Sequence, residues 1–128
     1  MGYDKYKKTA VESAGREKLL LMLYEGAIKF TKRAIIAADN NDIPGRCENI
    51  TRAYDIVLEL MNTLDFKVGG EVAENLEQLY MFITDELTRA NITGKTEHLK
   101  NVLKILETLH EGWKEAIELL KKKEVKGA

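Results

Sequence analysis

The chain has one cysteine, one proline, one tryptophan and a single serine among its 128 residues. With Cys47 alone there is no intrachain disulfide and no cysteine-based zinc site. Cys47 stands near a helix start, but no identifiable base accompanies it to activate the thiol. Ser13 lies in the opening segment with nothing to mark it as the nucleophile of a Ser/His/Asp hydrolase. The longest unbroken apolar run, Leu19 to Tyr24, is far too short for a membrane span of about 20 residues. Tyr3 to Lys8 is polar and charged, which gives no signal peptide, so a reducing, cytoplasmic location is expected. Lys and Arg number 20 against 21 Asp and Glu, a net charge of −1, so the clustered basic excess of a nucleic-acid binder is missing. The only basic run, Lys121-Lys122-Lys123 with Lys126, suits the negative end of a helix dipole, and the tail 121–128 is expected to fray. Two glycosylation-like triplets, Asn49-Ile-Thr51 and Asn91-Ile-Thr93, are chance matches in a chain without a secretion signal.

Two histidines leave little metal chemistry. Glu107-Thr-Leu-His110 matches the Glu-x-x-His pair of di-iron bundles, which need that pair twice together with two further inward glutamates. The other histidine, His98, has Lys95 at the required spacing, so Glu107 and His110 are expected to be solvent-facing helix residues with no metal. Gly69-Gly70 has no Lys-Ser/Thr after it and is no phosphate loop; it reads as a helix stop and turn. No catalytic residue or cofactor is therefore expected, and the chain is not read as an enzyme.

What is abundant is helical periodicity, in a chain 45% apolar and 32% charged. A first long helix from Gly15 to about Ala38 places Leu20, Leu23, Ala27, Thr31, Ala34 and Ala38 on one stripe. Asp39-Asn-Asn-Asp42 forms a loop, with Pro44 in the first turn of a second helix carrying Ile50, Ala53, Tyr54, Val57, Leu60, Met61 and Leu64. A third helix after Gly69-Gly70 places Val72, Leu76, Leu79, Ile83, Leu87 and Ala90 inward. Asn91 to Thr96 forms the next loop. Thr96 caps a fourth helix striped by Leu99, Val102, Leu103, Leu106, Leu109, Trp113, Ala116, Ile117 and Leu120. Four amphipathic helices with short links predict an all-α antiparallel four-helix bundle, one domain over 1–128. Residues 1–14 are read as a short N-terminal helix or mobile cap segment.

The helices carry more apolar surface than one core needs. In the first, Leu21, Tyr24, Ile28 and Ile35 form a second stripe, and Leu19, Met22 and Phe30 widen it; an outer bundle helix needs an apolar face only about 100° wide. Ile56, Tyr80, Phe82, Ile105 and Leu119 flank the stripes of the other helices. Each alone fits a helix packed between two neighbours, or an ordinary exposed apolar side chain. Together they predict a groove for a partner helix, or a surface shared with a second copy.

In order along the chain, Tyr3, Tyr6 and Val11, the run Glu17-Lys-Leu-Leu-Leu-Met-Leu-Tyr-Glu-Gly-Ala-Ile-Lys29, Ile56-Val-Leu-Glu-Leu60 with Leu64-Asp65, Gly69-Gly-Glu-Val-Ala-Glu-Asn-Leu76 with Leu79-Tyr80, then Leu87, Ala90-Asn91 and Trp113 resemble the flagellar secretion chaperone FliS family. One departure is Ser13-Ala-Gly-Arg16, where family members carry a proline-type opening to the first long helix.

The resemblance implies a cytoplasmic chaperone that binds the disordered C-terminal region of flagellin, blocks premature polymerisation and serves flagellar type III export, without nucleotide or metal. It implies an apolar client surface, or its immediate support, at Tyr24, Ile28, Ile56, Leu60, Leu64, Tyr80 and Trp113. Asn75 and Asn91 are candidates to hydrogen-bond the client, with helix capping or loop closure as the alternative role. Tyr3 and Tyr6 fall on the family's mobile opening segment, a candidate cover for the empty groove. An export-gate component or the anti-sigma factor FlgM is a further possible partner, and the free protein is expected to be a monomer or weak homodimer. The rival expectation is a generic helical adaptor or self-associating bundle with no flagellin client.

Overall fold

Aspartate caps at Asp42 and Asp65 and a glycine stop at Gly94 punctuate four helices: α1 (Gly2–Asp39), α2 (Ile43–Asn62), α3 (Phe66–Thr93) and α4 (Thr96–Gly127). The structure is a computed structural model describing the backbone of residues 2–127 and the side chains of residues 15–123. The side chains of Tyr3 and Tyr6, and with them any lid contact by residues 1–14, lie outside that description, as do those of residues 124–128. Among the described residues there is no strand, and no helix is long and apolar enough to cross a membrane.

Asp42 caps α2, its Oδ1 accepting the Gly45 N–H at 3.0 Å, with Pro44 in the first turn where no intrahelical N–H is required. Asp65 does the same for α3, its Oδ1 accepting from the N–H groups of Lys67 and Val68 at 3.0 and 3.2 Å. The helix therefore begins before Gly69-Gly70, where the sequence pattern suggested a stop. The break comes at Gly70 (φ 49°, ψ −122°), a backbone conformation that side-chain-bearing residues rarely adopt, after one capped turn. At the other end α3 continues through Asn91, which the pattern placed in a loop, and stops at Gly94 (φ 73°), whose N–H donates to the Ala90 carbonyl at 2.9 Å. The first helix runs through Gly15 without interruption. A single interior glycine costs only about 1 kcal/mol, which a long packed helix absorbs.

Short links make consecutive helices antiparallel. α1 and α3 each pack against both α2 and α4, leaving α1–α3 and α2–α4 as diagonals. The core is Tyr24, Ala27 and Ala34 of α1; Ile50, Ala53, Val57 and Leu60 of α2; Leu76, Tyr80, Ile83, Leu87 and Ala90 of α3; and Leu99, Val102 and Leu106 of α4. Alanine and glycine let α1 and α2 approach closely: a Cβ on Gly26 would stand 3.1 Å from Ile56 Cδ1.

The inward faces are rotated slightly from the expected stripes. On α1, Tyr24 and Ala37 are buried, while Leu20, Leu23 and Ala38 are half-buried. On α3, Ala73 and Tyr80 point inward and Val72 and Leu79 outward. The inward side of each helix is the bisector between its two neighbours, which apolar spacing alone does not locate. Leu119 and Leu120 near the end of α4 are exposed. Phe30 is covered by cations of its own chain, with Lys29 Nζ 4.7 Å, Arg52 Cζ 5.5 Å and Arg33 Cζ 5.8 Å from its ring centroid.

One charged residue belongs to the buried set. Glu86 on α3, 4% exposed, receives hydrogen bonds from Asn101 Nδ2 and His98 Nδ1 of α4, both at 3.1 Å on Oε2. Arg89 Nη1 lies 3.5 Å from Oε1. The Asn101 hydrogen bond, against opposing burial and with help from His98 and Arg89, holds the carboxyl below the usual glutamate range. This clasp ties α3 to the start of α4.

Candidate functional site

The α2–α3 connection and the first turns of α3 stand off from α1, leaving a largely apolar cavity of about 700 Å³. Leu19 and Leu20 of α1 form one wall; Leu64, Val68, Val72 and Ala73 form the other; Leu76, Tyr80 and Trp113 also line it. Asp65 and the glycine pair create this shape. The cap starts a helical turn that carries Val68 outward, and the Gly70 break redirects the chain into α3 proper. Val68 is 87% and Val72 62% exposed, so both belong to the cavity wall and to the open surface. From Val72 the exposed residues Asn75, Leu79 and Phe82 continue along α3 at steps of three and four, a mostly apolar strip leading away from the cavity. Arg16, Glu17 and Asp65 supply the charged part of the lining.

Beside the cavity, three polar groups meet in the core. The hydroxyls of Tyr24 and Tyr80 are hydrogen-bonded to each other, and Trp113 Nε1–H donates to the Tyr24 oxygen at 3.2 Å. Burial raises the Tyr24 pKa, with the Tyr80 and Trp113 hydrogen bonds opposing. Burial, reinforced by Tyr24, raises that of Tyr80 further. Both side chains are therefore neutral phenols over the physiological range.

The sequence-predicted residues divide into separate groups. Leu64, Tyr80 and Trp113 line the cavity, and Asn75 lies on the exposed strip. Tyr24 and Leu60 are fully buried and present no surface; they support the cavity from within. Ile56 is half-buried between α1 and α2, against Gly26. Ile28 lines a different cleft between α1 and α4, with Lys29, Lys32, Arg33 and His110. Asn91 is at the opposite end of α3, its backbone carbonyl accepting from Arg46 Nη2 at 3.1 Å. Tyr6 falls outside the described side chains.

Sequence reasoning missed Val68 and assigned Val72 and Leu20 to the core. The usable signal for Val68 was Asp65, an N-cap residue three positions earlier. His110, expected to face solvent, is mostly covered: its ring stacks on Tyr24 at 6.4 Å, and Nε2 lies 3.5 Å from Glu25 Oε1. Among the described residues no group of three or more His, Cys, Asp or Glu side chains is arranged to hold a metal ion.

The family model described as flagellar protein FliS matches residues 1–120. The flagellar secretion chaperone FliS of Campylobacter jejuni is 36% identical over 115 residues, covering 90% of each chain. That of Vibrio cholerae is 33% identical over 84% of this chain and 82% of its own. The Bacillus subtilis protein of the same name is 32% identical over 91% and 86%. The chain belongs to the FliS family of flagellar proteins.

Proposed function

We propose that this chain is a flagellar secretion chaperone that holds the C-terminal segment of flagellin on the cavity and the exposed strip of α3, and does so in the cytoplasm before export. One observation carries the assignment to this surface: a large apolar cavity whose outer wall, Val68 and Val72, runs on into the exposed residues Asn75, Leu79 and Phe82. An amphipathic helix lays its apolar face on such a strip and inserts a larger side chain into the cavity. The work is binding alone. Ordering a disordered segment costs about 2–5 kcal/mol or more, and contact spread over a cavity and about three turns of helix offsets it. While the segment is held, the apolar face it uses for assembly is covered, which blocks polymerisation without any covalent step.

The test is calorimetric titration with the C-terminal segment of flagellin, about 50 residues, long enough to form two or three helices. One-to-one binding with a large negative heat-capacity change is expected, the signature of apolar burial coupled to folding. Absence of binding across temperatures would overturn this function in favour of a self-associating bundle.

A further inference from the structure

Val72, Asn75, Leu79, Phe82 and Glu86 repeat at steps of three and four and share one side of α3. Phe82 is 45% exposed, whereas Glu86 one turn later is 4% exposed and bonded to His98 and Asn101 of α4. The exposed strip therefore faces the α4 side. On α4 the matching side continues from Asn101 through Ile105 and Thr108 to Gly112, where an added Cβ would meet nothing within 4 Å. The two sides border a groove that is shut at the Glu86 clasp and runs at Val72 into the cavity.

Away from the clasp, where Arg89 and Lys104 stand, the edges of this groove carry one sign of charge. Over residues 68–88 α3 has five acidic residues and no Lys or Arg. Glu71 and Glu74 are exposed beside Val72 and Asn75, and Glu115 is exposed about one turn beyond Gly112 on α4. None of these three has an ion-pair partner among the described residues. Lys114, the only cation at 105–120, is held 2.8 Å from Glu111. The whole chain is nearly neutral at −1, so the acidic excess is local; Lys29, Lys32 and Arg33 stand on α1, the helix diagonal to α3.

Resting on the function proposed above, we infer that this groove takes a segment forming an amphipathic helix with Lys or Arg along the edges of its apolar face, and that Glu71, Glu74 and Glu115 select for it. Apolar contact is non-directional and alone accepts any apolar face. The carboxylates discriminate, because a segment edged with Asp or Glu sets like charges against them as the groove loses water. A second copy laid strip to strip is disfavoured for the same reason, since a two-fold contact sets the acidic patch against itself. The stretch of flagellin held on α3 is therefore a basic-edged one.

The experiment titrates the protein with two synthetic peptides of about 18 residues, five helical turns, that share one apolar face and carry either Lys or Glu along its edges. At about 50 mM salt the Lys-edged peptide binds about tenfold more tightly, and at about 500 mM, where screening acts within a few ångströms, the difference narrows. Glu71→Gln/Glu74→Gln cuts the preference about three- to tenfold. Asp55→Asn/Glu59→Gln removes two exposed charges from α2 instead and leaves the preference within about twofold. Equal binding of the two peptides, binding of neither, or the same loss in both variants overturns the inference. Salt-sensitive self-association of the wild type without peptide binding puts a second copy in the groove and overturns it too. The C-terminal segment of flagellin is titrated in parallel and loses affinity in Glu71→Gln/Glu74→Gln at low salt only. If it binds that variant as tightly as wild type, the inference falls and the flagellin function stands. If it does not bind wild type, that function falls and the peptide pair still decides what the groove selects.

Discussion

Tyr24 on α1 and Tyr80 on α3 join their hydroxyls across a diagonal of the bundle, between two helices whose backbones are not neighbours. With Trp113 of α4 donating to Tyr24, three of the four helices are pinned beside the cavity. Tyr24→Phe leaves the Trp113 N–H without its acceptor and Tyr80 without its partner. The expected cost is about 1–2 kcal/mol, the range for removing one member of a buried hydrogen-bonded group. A urea titration reads it as a lower midpoint with unchanged slope. An unchanged midpoint would mean that the diagonal bond makes no net contribution.

The Glu86 clasp makes stability depend on pH with a definite sign. The native carboxyl is held below its ordinary value of 4.5, so the unfolded chain takes up the proton first as the solution is acidified. The stabilisation is complete above the ordinary glutamate value and is lost as pH falls through the lowered native one. Glu86→Gln keeps the size of the side chain and removes the charge. At pH 7 it should be less stable than wild type by about 1–2 kcal/mol, most of it from the Asn101 and His98 bonds, since Arg89 is largely exposed. Denaturant unfolding near pH 3 should show that deficit narrowed. A deficit independent of pH would mean that Glu86 titrates alike in both states.

Two glycines of α3 and α4 should respond to alanine in opposite directions. At Gly70 a Cβ meets nothing within 4 Å, so the whole penalty of Gly70→Ala lies in the backbone, whose φ of 49° and ψ of −122° suit only glycine. A loss of about 1–3 kcal/mol is expected. Gly112 lies inside α4 with ordinary helical φ and open space around its Cβ position. Gly112→Ala should therefore raise stability by about 0.4–1 kcal/mol. Thermal melts of the two variants check both signs at once. An innocuous Gly70→Ala would show that the break is not needed in solution.

These glycines mark where sequence reasoning reached its limit. The four helices, the Asp42–Pro44 start and the short links were legible because they depend on local chemistry: apolar spacing, caps and proline. The inward direction of each helix was not. Val72 and Leu79 lie within a turn of Leu76 and Ile83, and only the placement of α2 and α4 decides which of them is buried. The cavity was less legible still, since it arises from the Asp65 cap and the Gly70 break acting together. Tyr80 and Trp113 were among the residues read as client surface or its immediate support; both line the cavity, and their link to Tyr24, which spans residues far apart in the chain, was not legible. Glu86 gave no signal, because its partners His98 and Asn101 stand one helix away.

Val68 and Val72 separate client binding from folding. Both are largely exposed, neither belongs to the core cluster, and each contributes to the cavity wall. Val68→Asp or Val72→Asp should shift stability by only about 0.5 kcal/mol, as surface substitutions do. Each nevertheless places a carboxylate where a bound apolar side chain would have to desolvate it. Affinity for the flagellin segment should fall about tenfold or more, the loss typical of a charge at the centre of an apolar contact. A matching substitution at Ile92, 79% exposed at the opposite end of α3, should leave affinity unchanged. Equal affinity in all three variants would move the client off this surface. A loss at Ile92 alone would place the contact at the α3–α4 end of the bundle.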